Sequence, residues 1–242
     1  MKIVLSRKGF DSAAGKAPSP IVNGRPVSMP IPATRSSATT YADIGLGDLV
    51  ERITTGRMGR MHLCHPDPMF VGEECIFGQV DAAQSHLSNQ GVGVGDLFLF
   101  FGLFADEATG ERHHRFFGYL RVQERHLVSD ISDDMRLELE QLKHPHVLGM
   151  KAPNNTIYRG EGRTALKAHP GLRLTQTGGP LSRWIVPTWM RERGLTYHSK
   201  PTRWIGESSL DSVARGQEFV CDVGDDPVAI AWAEHIVGMV RS

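Results

Sequence analysis

The stretch "GDLFLFFGLF" (95–104), then "DEATGER" (106–112), then "HHRFFGYLRVQER" (113–125), constrains the fold more than any other part of the chain. Phe, Leu, Tyr and Val fill the flanking segments, and these residues pack well on a pleated surface. Asp106 and Gly110 mark the segment between them as a turn. The pair therefore reads as a β-hairpin or part of a meander, and the chain has to build a sheet around it. The apolar run Leu97 to Phe101 reads as a buried strand.

The rest of the chain supplies strands and helices in an order that fits an α+β domain. Residues 2–5 read as a short buried strand. Residues 13–40 carry Pro18, Pro20, Pro26, Pro30 and Pro32, which exclude a helix there. Asn23-Gly24 signals a turn between two extended pieces. Helices are expected near 46–55, over 77–91 with Gly91 as its cap, over 133–144, over 187–194 and over 226–240. Asp133 and Asp134 favour the positive end of their helix. Strands are expected at 182–187 and 216–223, whereas 150–182 reads as turn-rich with only short strands. This order predicts one domain over 1–242, with a mixed or antiparallel sheet or a partly closed barrel flanked by helices.

Composition narrows the function classes. The 242 residues hold 27 basic and 27 acidic side chains, so no polyanionic partner is demanded, although a local basic patch on a neutral protein stays open. Three cysteines are too few for a disulfide framework or a four-thiolate zinc site, and they read as reduced thiols of a cytoplasmic protein. No stretch approaches the ~20 apolar residues of a membrane span.

Polar clusters give the candidate sites. "LSRKGFDSAAGKAPSPI" (5–21) places Ser6, Arg7, Lys8, Asp11 and Ser12 in a loop at a strand end, where polar groups can be aimed into a cleft. Arg7 and Lys8 suit a phosphate, and Asp11 suits proton transfer or a hydroxyl. The alternative is a salt-bridged surface turn. A nucleotide-hydrolase phosphate loop is excluded: five residues separate Gly9 from Gly15, and Ala17 stands where the magnesium-binding hydroxyl belongs. "GVGVGD" (91–96) lacks the dinucleotide spacing and precedes a strand, so it reads as a tight turn that delivers Asp96. Gln79 and Gln84 carry amides able to read a base edge, against the simpler role of a solvated helix face. His62, Cys64, His65 and Asp67, with His144 and His146, supply donors but no known metal-binding spacing. The expectation is hydrogen-bonded histidines and no metal site.

Taken together, "LSRKGFDSAAGKAPSPI", "SMPIP" (28–32), "GQVDAAQSHL" (78–87), "GVGVGDLFLFFGLF" (91–104), "FFGYLRV" (116–122) and "GQEFV" (216–220) resemble the family called nucleotide modification associated domain, type 3. The resemblance runs over nearly the whole chain. It implies work on modified DNA bases or nucleotides, in company with other base-modification enzymes. The motif positions it carries over are Ser6, Arg7, Lys8, Asp11, Ser12, Gln79, Gln84 and Asp96. Residues 95–122 also resemble, more locally, the core of PUA-like barrels such as the EVE and ASCH modules, which hold nucleotides or flipped bases. That would give Phe100, Phe101, Phe117 or Tyr119 a stacking role, where the usual burial of Phe favours the core.

Two readings follow. In one, an enzyme binds a nucleotide or DNA base, with Asp11 and Lys8 as catalytic groups and Ser6, Arg7, Ser12, Gln79, Gln84 and Asp96 as substrate contacts. In the other, a non-catalytic module reads modified bases in DNA or RNA. No methyl-donor or nicotinamide motif selects a cofactor, and the cofactor is unknown at this stage.

Overall fold

The computed structural model describes residues 1–33, 37–214 and 216–242; residues 34–36 of the proline-rich stretch lie outside it. In chain order, β1 (Lys2–Arg7) leads into the polar loop, and the chain returns as β2 (Ser19–Val22). Asn23-Gly24 then turns it into β3 (Arg25–Pro26). β4 (Ile31–Pro32), β5 (Thr39–Thr40), α1 (Gly47–Ile53) and β6 (Leu63–His65) form a side structure. β7 (Met69–Val71), β8 (Glu74–Gln79) and α2 (Asp81–Asn89) precede the hairpin of β9 (Leu97–Asp106) and β10 (Arg112–Leu127). After it come α3 (Asp133–Gln141), α4 (Pro145–Leu148) and β11 (Thr156–Thr164). The chain closes with β12 (Arg183–Ile185), α5 (Trp189–Arg193), β13 (Trp204–Ile205), β14 (Ser209–Asp211), β15 (Glu218–Asp222) and α6 (Pro227–Arg241).

Nine strands of the described residues make the main sheet, in the order β15-β1-β9-β10-β11-β8-β7, with β2 beside β9 and β3 beside β2. The Phe-rich hairpin lies at its centre, as its composition requires. β1 and β9 are parallel, and the other neighbours along the path are antiparallel, so the sheet is mixed. Side chains alternate between its faces. Ile3, Leu5, Leu97, Leu99 and Phe101 pack under α6, against Ala229, Ala233, Ile236 and Val240. Val4, Phe98, Phe100 and Val220 point to the other face, which Phe77, Tyr158 and Leu87 cover. Fully burying one such side chain contributes roughly 1.5–3 kcal/mol, which makes these two layers the main source of stability.

The second face is concave. Phe77 of β8 lies 5.2 Å from Phe98 and 5.4 Å from Phe100 of β9, although β10 and β11 separate these strands in the sheet. The sheet curls far enough to bring β8 opposite β15 and stops there. β7 and β15 remain edges, and no closed barrel forms.

Two expectations need correction. The helix expected over 77–91 begins at Asp81, because Phe77, Gly78 and Gln79 pair with Tyr158, Ile157 and Thr156 of β11. The segment read as turn-rich contains the nine-residue β11. Its "RGEGR" core has no apolar alternation, since two positions must be glycine. A Cβ on Gly160 would lie 2.1 Å from the Arg121 carbonyl oxygen, and one on Gly162 would lie 2.4 Å from that of Tyr119. The helix ends agree better with their sequence signals. Asp226 accepts from the amides of Val228 and Ala229 at the start of α6, and Ser132 accepts from Met135 at the start of α3.

Candidate functional site

β9 carries two partners on one edge. Its first half pairs with β1, from Leu97 to Phe101, and its last residues pair with β2, from Phe104 to Asp106. Between them the chain leaves the sheet at Arg7 and re-enters at Ser19, and this excursion is the polar loop. Gly102 lies at the break. The Lys8 amide donates to the Phe101 carbonyl at 2.8 Å, and a Cβ on Gly102 would sit 2.6 Å from the Lys8 carbonyl oxygen. The loop has a small core of its own, in which Phe10 packs with Met29, Tyr41, Val50 and Cys64.

A hollow of about 380 Å³ opens where this loop faces the end of β8. Arg7, Lys8, Asp11, His65, Asp67, Gln79 and His146 all line it. Arg7, Asp11 and Gln79, remote in sequence, therefore share one cavity. A second hollow of about 440 Å³ adjoins it, sharing Gln79, Val80, Gly216 and Gln217, and the start of α2 forms part of its wall.

Glu218 joins the two sides of the curled sheet. Its Oε1 accepts from Lys8 Nζ at 2.8 Å and from Gln79 Nε2 at 2.7 Å. The Glu218 side chain is 1% exposed and that of Lys8 11%, so this is a buried ion pair. Lys8 also lies over the Phe77 ring, 4.3 Å from its centre. Glu218 Oε2 and the Ser6 hydroxyl beside it across β1 and β15 are buried without a hydrogen-bond partner among the described residues.

Arg7 leaves β1 on the opposite face, between the rings of Phe101 and Phe219. Its Nη1 and Nη2 donate to the carbonyls of Ala214 and Val213, and its Nε has no partner among the described residues. Burial lowers its pKa, and the Asp11 carboxylate works against that shift. Asp11 Oδ1 accepts from the amides of Ala13 and Ala14 at 2.7 and 2.6 Å, which fixes the loop and leaves Oδ2 without a bond among the described residues.

Three other candidates lie elsewhere. Ser12 is exposed on the outer turn of the loop and does not line the hollow. Gln84 is fully buried, donating to Ser88 Oγ and accepting from the Tyr158 hydroxyl. Asp96 accepts from the amides of Lys2 and Gly93, at the end of β1 opposite the loop. It clamps the turn it was expected to follow. Phe100, Phe101, Phe117 and Tyr119 are at most 2% exposed and belong to the core.

Glu218 was not among the residues singled out from the sequence, although "GQEFV" contains it. The histidines are also not isolated. Asp67 meets His65, His144 and His146 at 3.8, 3.7 and 3.5 Å, with its side chain 4% exposed. Burial opposes ionisation of Asp67, but the imidazoles of His146 and His65 outweigh it and hold the carboxyl well below the usual range. Burial pushes His144 down to about 4. His65, Asp67 and His146 place one donor atom each within 4.8 Å of one another, a group able to hold a metal ion. The i, i+2 spacing of His65 and Asp67, which aims both to one side of an extended chain, was the sequence signal for part of this group. His146 is brought in only by the fold.

No helix among the described residues is long and apolar enough to cross a membrane. No curated protein and no solved structure matches the chain. The family model described as nucleotide modification associated domain 3 matches residues 2–222 of the 242, and the chain belongs to that family.

Proposed function

We propose that the hollow between the opening loop and β8 binds a nucleotide, or a base presented from DNA, and that the protein chemically modifies it. The observation that carries this reading is the gathering of Arg7, Lys8, Asp11, His65, Asp67 and His146 around one cavity of about 380 Å³ in a chain of this family. That volume lies in the range of small-molecule sites, and a cluster of ionisable groups in a cleft suits proton transfer. Asp11, whose Oδ2 has no bond among the described residues and which lines the same hollow as Arg7, is the group we assign to proton transfer. Arg7 has N–H groups left for an anionic oxygen. Lys8, tied to Glu218 and Gln79, shapes the floor and supplies positive charge near the substrate. A cytoplasmic location fits the three buried, free cysteines.

Purified protein incubated with DNA and nucleotides carrying modified bases is expected to change the nucleosides detected by mass spectrometry. Asp11→Asn should abolish the change, while exposed Ser12→Ala should leave it. Unaltered nucleosides would overturn the enzymatic reading.

A reading role has one observation in its favour. A neighbouring hollow of about 400 Å³ is lined by the partly buried Phe70 and the exposed Arg25, a combination suited to stacking a base beside a phosphate. Retention of modified DNA without turnover, weakening as salt rises, would favour that role.

A further inference from the structure

The cluster around Asp67 has a hydrogen-bond pattern that fixes where its lone pairs point. Asn155 Nδ2 donates to the carbonyls of His146 and Met150, at 2.8 and 3.1 Å. Asn155 Oδ1 is therefore the acceptor facing His146 Nδ1, 2.7 Å away, and Nδ1 carries the proton. In the neutral ring, Nε2 then presents a lone pair. On the carboxylate, Oδ1 accepts from the Gly78 amide at 2.9 Å, which leaves Oδ2 facing the cluster. The Nε2 atoms of His146 and His65 lie 3.5 and 3.8 Å from that oxygen.

Lone-pair atoms converging this closely repel unless a cation lies among them. A tetrahedral ion with bonds of about 2.0–2.1 Å holds its ligand atoms about 3.4 Å apart, and both histidine–carboxylate distances lie within a few tenths of an ångström of that spacing. An orienting partner on the second nitrogen of a histidine, as Asn155 is here, is usual for a metal ligand. Gly78 makes the approach possible, because a Cβ there would fall 2.2 Å from the His146 ring.

We propose that His65 Nε2, Asp67 Oδ2 and His146 Nε2 bind one divalent transition-metal ion, with its open coordination positions facing the hollow that Lys8 and Gln79 also line. Two imidazoles and one carboxylate suit zinc, iron(II), cobalt(II) or manganese(II) better than the all-oxygen preference of calcium or magnesium. Asn155 is the positioning residue. His144, 3.7 Å from Asp67 Oδ1 and with its Nε2 unpartnered among the described residues, backs the carboxylate. The inference does not depend on the nucleotide reading.

The test uses untagged, chelator-treated full-length protein. Titration with Co²⁺ is expected to give one ion per chain by calorimetry, with visible ligand-field bands that Zn²⁺ abolishes by displacement. His65→Gln and Asp67→Asn should weaken Co²⁺ binding at least ~10-fold, and Asn155→Leu about 10- to 100-fold, by analogy with losses of an orienting partner. Exposed His62→Gln, three positions from His65, should bind as the wild type does. Circular dichroism checks that each variant is folded. Should the ligand variants not fold, Zn²⁺ at 100 times its Kd should still raise the wild-type Tm by about 5–10 °C. Less than one Co²⁺ per chain, spectra unchanged in His65→Gln and Asp67→Asn, or no rise in Tm would each overturn the proposal and leave the cluster as a proton-mediated ion pair.

Discussion

Replacing Lys8 by Met tests whether the buried pair with Glu218 ties the opening loop to β15. Nζ and Oε1 are 2.8 Å apart, and both side chains are largely out of water. At an effective dielectric constant near 20, charges at that distance attract by about 6 kcal/mol. Much of this offsets the cost of burying both ions. Removing one partner loses the attraction and keeps the other ion's burial cost, typically about 3–5 kcal/mol. Glu218 is exposed to that cost because Gln79 would be its sole remaining donor among the described residues. For a chain of this length each kcal/mol shifts Tm by about 2–4 °C, so Lys8→Met should lower Tm by roughly 6–20 °C. Lys8→Met combined with Glu218→Gln keeps an acceptor for Gln79 and leaves no unpaired charge. The double variant should therefore be more stable than Lys8→Met alone. Differential scanning calorimetry on wild type, both single variants and the double variant gives the coupling. A fall below 2 °C in Lys8→Met, or strictly additive losses, would refute the claim that the pair is buried and joins the opening loop to β15.

Two further perturbations probe the neighbouring structure. Burial, with Arg115 and Arg7 respectively as nearby cations, pushes His113 and His114 down to about 4 from 6.5. Their contribution to stability is complete above pH 6.5 and drains away as pH falls toward 4, because the unfolded chain takes up those protons first. For His113, 5% exposed, this amounts to about 3 kcal/mol at most; the His113→Gln, His114→Gln double variant should lose Tm less steeply than wild type between pH 6.5 and 4, and equal slopes would count against the assignment. Gly102→Ala drives a Cβ into the Lys8 carbonyl, an overpacking cost of about 1–3 kcal/mol, and should lower Tm by about 2–12 °C, whereas a change under 1 °C would show that the loop yields freely.

What the sequence disclosed followed from local chemistry. The hairpin was legible because Phe and Leu dominate its strands, and α6 because its apolar stripe repeats at helical spacing and begins with Asp226-Pro227. β11 was not legible, since close backbone contacts require glycine at Gly160 and Gly162 where a pattern reader looks for alternating apolar residues. The same contrast holds at the site. Arg7, Lys8 and Asp11 stood out because they crowd one short loop. Gln84 and Asp96 stood out for their side-chain chemistry, but that chemistry is used up inside the protein, on Tyr158 and Ser88 in one case and on two backbone amides in the other. Glu218 and His146 gain their importance from partners 210 and 79 residues away, Lys8 and Asp67, and no local pattern carries that information.

The way β9 shares one edge between β1 and β2 has an evolutionary consequence. The excursion is stitched to the same strand at both ends and rests on a miniature interior around Phe10, separate from the two layers of the main sheet. The cleft's rim and its floor thus answer to different packing constraints. The loop can therefore vary between two fixed points on β9 while the platform beneath it keeps its own packing.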